Sequence, residues 1–169
     1  PSGTKYTASL KTTDNIFRHY AITADFPDGS QKTTYARIVL LDREELRENM
    51  LSVVSMVNAM VEKDRNVNWY FSFATNIEAT DIGTKMMPQE STRHIYEEFL
   101  TKVDSSVKVN AVEVNSFNDY YNKFFITDHH WNHHGSEEAY LGIVKMLREN
   151  YPDIVPLEVE DVYEFKDVQ

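Results

Sequence analysis

The sequence predicts a layered α/β fold in one domain spanning residues 1–169, and three features carry that prediction. Two short apolar runs, at 67–74 and 108–114, read as strands buried on both faces. Residues 89–103 between them carry apolar side chains at helical spacing, so strand, helix and strand form one right-handed parallel crossover. Ahead of them, apolar runs at 17–26 and 33–41 flank Pro27-Asp28-Gly29-Ser30, which is turn chemistry and predicts an N-terminal β-hairpin. Such sheets place their chemistry in loops at the carboxyl ends of the parallel strands. Here those loops are 75–81 and 115–134, which should open on one edge.

The remaining elements can be read in chain order. Residues 1–16 are polar, rich in Thr, Ser and Lys, and are expected to be irregular. Residues 43–65 form a helix, with Leu46, Met50, Val53, Val54, Val57, Met60 and Val61 on one face. Asp42 is its expected N-cap, and Glu44 and Glu45 lie in the first turn, where the helix dipole favours acids. Residues 75–88 read as a loop. In the helix at 89–103, Ile95, Tyr96, Phe99, Leu100 and Val103 face inward. One helical turn is expected at 116–121. A third helix covers 136–150, with Ser136 as N-cap, and ends before Pro152 because a residue preceding proline avoids the α region. A short strand is expected in the acidic tail near 162–165.

Composition narrows the function. Hydrophobic residues make up 41% of the 169, enough for a core, and no apolar run is long enough to span a membrane. The net charge of -10, without clustered Lys and Arg, argues against nucleic acid and against docking on anionic membranes. Neutral sugars and acyl esters are indifferent to it. The absence of cysteine rules out disulfides, a thiolate nucleophile and Cys-ligated zinc. The chain begins at Pro1 rather than Met, which reads as a processed chain.

One segment concentrates the chemistry. His129, His130, His133 and His134 crowd around Trp131 and follow Asp128. In an extended loop, residues two apart point to the same side, so Asp128 can accept the Nδ1 proton of His130 and leave Nε2 as a base. A Ser hydroxyl within reach would complete a nucleophilic triad. Trp131 would wall a pocket and stack on a sugar ring. A metal site is a second reading, since His129 and His133 are four apart, but Gly135-Ser136 places the helix start after them. A third has Asp128 capping a turn, His130 in an ordinary loop and Trp131 in the core.

The segment Phe125-Ile126-Thr127-Asp128-His129-His130-Trp131-Asn132-His133-His134-Gly135 resembles the signature of the DHHW protein family. It is also similar to the Thr-Asp-x-His-Trp element of SGNH-hydrolase-like domains in alginate and cell-surface O-acetylation proteins. The resemblance implies a three-layer, flavodoxin-like sheet with flanking helices. It implies a carbohydrate O-acetyltransferase or acetylesterase without cofactor or metal, working outside the cytoplasm of a bacterium. Asp128 would orient His130 as base, and Thr127, Trp131 and Asn132 would shape the substrate site. The nucleophile of those proteins lies in a Gly-Asp-Ser segment after the Asp-x-His element. This chain has no Gly-Asp-Ser, so the Ser is expected beyond Gln169. The alternatives are a non-catalytic carbohydrate-binding or cell-surface module of the same fold, and a His-rich metal-binding protein.

Overall fold

In the computed structural model, residues 3–125 and 129–157 are described, and they form a mixed α/β structure with two sheets and five helices. The first sheet is antiparallel, in the order β1 (Lys5–Thr13), β2 (Phe17–Asp25), β3 (Gln31–Val39). The second is a parallel pair, β4 (Tyr70–Phe73) and β5 (Lys108–Ala111). The helices are α1 (Arg43–Lys63), α2 (Asp81–Met86), α3 (Arg93–Lys102), α4 (Phe117–Lys123) and α5 (His133–Arg148).

The hairpin forms where its turn chemistry placed it. Gly29 takes φ 83, Gly29 N–H donates to the Phe26 carbonyl at 3.0 Å, and β2 pairs with β3 from Phe17↔Val39 to Asp25↔Gln31. Tyr20, Ile22, Ala24, Ala36 and Ile38 alternate onto the inner face and are buried. Residues 5–13, expected to be irregular, are instead an edge strand antiparallel to β2, with a register shift between Leu10 and Thr12. Only Tyr6 and Ala8 reach the core, so β1 carries little apolar periodicity of its own; pairing to β2 makes it a strand.

Helix α1 starts at the expected cap: Asp42 Oδ1 accepts from Glu44 N at 2.9 Å and Glu45 N at 3.1 Å. Val54, Val57 and Val61 are buried, whereas Met60 is exposed. In α3, Ile95, Tyr96 and Phe99 face inward as expected, but Leu100 is 40% exposed. That helix begins at Arg93 rather than 89, because Pro88–Glu90 turns as a 3-10 segment. The stretch 75–88 is likewise more than a loop, with a 3-10 turn at Ile77–Ala79 and then α2, capped by the Thr80 hydroxyl.

The parallel pair matches the crossover pattern, with Tyr70↔Lys108 through Phe73↔Ala111 as partners. Phe71 and Phe73 pack on Phe99 of α3, with ring centroids 5.0 and 4.7 Å away. On the opposite side, Asn110 lies against Gly142 of α5. The burial expected on both faces is not complete: Ser72 is exposed and Val67 precedes the strand, 47% exposed. No helix among the described residues is long and apolar enough to cross a membrane.

Helices α1 and α3 are also joined by charge. Arg47 holds Glu98 through a two-pronged fork, Nε to Oε2 at 2.6 Å and Nη2 to Oε1 at 2.8 Å, and Lys102 adds a contact at 3.2 Å. The Arg47 hydrogen bonds, then Lys102, hold the Glu98 carboxyl down at about 2. A depressed folded-state value means the contribution is complete above the ordinary carboxylate range and disappears as pH falls toward about 2. Glu98→Gln should therefore flatten the acid limb of stability between about pH 5 and pH 2, relative to the parent chain. Denaturant midpoints measured across that range check it; an unchanged acid limb contradicts the fork's role.

Candidate functional site

The residues on either side of the Asp-His segment are pinned together. Phe124 and Trp131 form an antiparallel bridge, Phe125 N donates to the His130 carbonyl at 3.2 Å, and Asn132 N donates to the Lys123 carbonyl at 2.9 Å. Thr127 and Asp128 lie outside the described residues, so the Asp128–His130 pairing does too. His130 is exposed, and its ring centroid lies 4.0 Å from that of His129. His129 in turn sits 5.4 Å from the Phe17 ring at the start of β2, and the Arg37 guanidinium lies 3.6 Å over that same ring.

Trp131 links the two strand-end loops. It packs at the margin of the main core, and its Nε1 donates to the Thr75 carbonyl at 2.9 Å. Thr75 follows β4, so the loop after β4 and the segment after β5 meet at one edge of the parallel pair, as their spacing in sequence implied. The Thr75 hydroxyl is itself buried, with no hydrogen-bond partner among the described residues.

Asn132 works as a joint. Its Oδ1 accepts from His134 N at 3.0 Å and Gly135 N at 3.2 Å, while Nδ2 donates to the Asn122 carbonyl at 2.7 Å and the Phe124 carbonyl at 3.3 Å. It is therefore the N-cap of α5, and the expectation of Ser136 in that role is corrected. Two capping residues lie four apart, and the carbonyls ending α4 select the first. The helix thus begins at His133, which places His133 and His134 in its first turn with ring centroids 3.9 Å apart. Among the described residues no group of three His, Asp or Glu stands close enough to hold a metal ion.

Gly135 permits this joint. A Cβ there would lie 2.5 Å from the Lys123 carbonyl oxygen and 2.9 Å from the Trp131 Cβ. Gly135→Ala should cost about 1–3 kcal/mol by overpacking backbone that cannot move aside. It should also change the Trp131 emission, because α5 and the tryptophan must separate. Denaturation followed by fluorescence tests both, and a variant of parent stability contradicts the close approach.

A polar cluster that sequence reasoning missed lies between the first sheet and the 3-10 segment at Pro88–Glu90. Glu90 is 5% exposed yet accepts from Tyr20 Oη at 2.7 Å and from Arg18 Nη1 at 3.1 and 3.0 Å, with Arg43 Nη2 3.5 Å away. Glu78 is buried close by, and burial pushes its carboxyl above the usual range. Arg18 and Tyr20 stand 72 and 70 positions from Glu90, so no local spacing could reveal the cluster.

Fold and geometry together define a mixed α/β protein whose His-rich loop is tied by Trp131 to the strand-end loop of a parallel pair. Two solved structures of Bacillus cereus PatB1 share this fold. The one carrying a sulfonyl adduct is 17% identical, with a TM-score of 0.57 over 92% of this chain and 50% of that one. The other is 18% identical, with a TM-score of 0.50 over 90% and 46%. The chain therefore spans about half the length of these neighbours. No protein-family model matches the chain, and no curated protein does.

Proposed function

We propose that this chain is part of an SGNH-like, three-layer acyl-transfer domain, a carbohydrate O-acetyltransferase or acetylesterase acting outside the bacterial cytoplasm. Asp128 orients His130, and His130 Nε2 takes the proton from a Ser supplied beyond Gln169. Thr127 and Trp131 border the substrate, and Asn132 acts by fixing where α5 begins. The observation that carries the reading is the seating of Trp131, in the His129-His130-Trp131-Asn132 run, beside the loop that follows β4, through its hydrogen bond to Thr75. Strand-end loops are where such sheets do chemistry. The fold shared with PatB1 supports it. The net charge of -10 suits a neutral sugar or acyl ester rather than a polyanion.

The test compares acetyl-ester hydrolysis by the 169-residue chain with that of a chain continued through a Gly-Asp-Ser segment, each with and without His130→Ala. Activity that needs both the Ser and His130 supports the reading. A continued chain lacking such a Ser, or one without ester turnover, favours the non-catalytic binding module instead, and turnover indifferent to His130 overturns its role as base.

A further inference from the structure

The cluster around Glu90 opens into a cavity of about 520 Å³ lined by Arg18, Tyr20, Ile38, Leu41, Arg43 and Glu78 among others. A smaller cavity of about 140 Å³, walled by Leu46, Met50, Phe73, Ile95 and Tyr96, shares Leu41, Glu78 and Thr92 with it. The two adjoin across those residues, one arginine-bearing and the other apolar. None of the described residues of the Asp-His loop lines either cavity, although Thr75, whose carbonyl accepts from Trp131 Nε1, lines the apolar one.

The arginines are held in place by the cavity floor. Arg18 meets both Glu90 oxygens through Nη1 alone, and Arg43 reaches the Gln89 carbonyl and Glu90 through Nη2 alone. Among the described residues the Nε and second Nη of each guanidinium make no hydrogen bond, and the side chains are 39% and 44% exposed. Held donors of this kind lose little freedom when they bind a planar anion. The charges select the ligand. Two guanidiniums face one carboxylate, Glu90, and their outward Nε and Nη donors are left to a ligand. A ligand without an acceptor would leave those donors unused.

We propose that these two adjoining cavities together form a binding site for a small monocarboxylate with a short apolar tail, its carboxylate on Arg18 and Arg43 and its tail against Leu46, Met50 and Phe73.

Hexanoate is the probe, titrated calorimetrically into the full chain. Saturable one-to-one binding with Kd of about 1 mM or below is expected. Acetate should bind more weakly for want of a tail. Hexylamine and inorganic phosphate should not bind measurably. Arg43→Gln should weaken hexanoate about tenfold or more, since a charge-assisted hydrogen bond is lost. Glu90 keeps Arg18 and Tyr20 in that variant, so the fold survives, and circular dichroism verifies it. Ala79→Leu, which fills the apolar cavity, should erase the advantage of hexanoate over acetate. Absence of saturable binding, phosphate binding as tight as hexanoate, or hexanoate affinity unchanged in Arg43→Gln overturns the proposal.

Discussion

The 169-residue chain should show no appreciable turnover of aryl acetates, whereas a chain continued through a Gly-Asp-Ser segment should be active and lose about 10³-fold or more in kcat on His130→Ala. The separate roles of base and nucleophile set this contrast. An Asp-His pair lowers the cost of moving a proton, worth roughly 10²–10⁴-fold when the base is well placed. It forms no acyl-enzyme by itself, because that bond needs a hydroxyl nucleophile. The donors that stabilise the tetrahedral oxyanion would also be missing with the Ser segment. Within a triad the members act as a unit, so losing either Ser or His leaves only residual catalysis. Rates of p-nitrophenyl acetate hydrolysis for the four proteins check this. His130-dependent turnover by the short chain would place the nucleophile inside these residues. Ser72, exposed in β4, and Ser136, released from its expected capping role, would be the first to substitute.

Phe99→Ala is expected to destabilise the fold by about 3–5 kcal/mol, a large fraction of the roughly 5–15 kcal/mol that holds a typical domain together. Phe99 is fully buried and touches Phe71 and Phe73, so it clamps α3 to β4. Truncation removes a whole ring from between two rings whose own backbones are fixed by pairing to β5, and the cavity cannot collapse. Leu100→Ala, one position along the same helix, should change stability by no more than about 0.5 kcal/mol, because that side chain is 40% exposed. Urea denaturation of the two variants beside the parent measures the contrast. Equal losses would mean that α3 is rotated from the arrangement described.

The sequence by itself determined the elements whose signals are local. Pro27-Asp28-Gly29 needs only the turn preference of its own residues, and Gly29 takes the positive φ that the turn demands. Asp42 caps α1 because its carboxylate reaches amides two and three residues ahead. The parallel pair was legible from two apolar runs spaced by a helix, and the His-rich segment from its density alone. The tertiary structure decided whatever depends on distant partners. Strand β1 exists because β2 offers it an edge, not because its own residues alternate. The start of α5 fell to Asn132 rather than Ser136, since only Asn132 also reaches the carbonyls of Asn122 and Phe124. Leu100 fits the apolar stripe of α3 but lies outside the surface that β4 covers. Trp131 meets Thr75 across 56 positions, and Glu90 meets Arg18 across 72. Backbone preference acts over a few residues, whereas burying a charge or an indole N–H requires a partner that only the folded chain brings within reach.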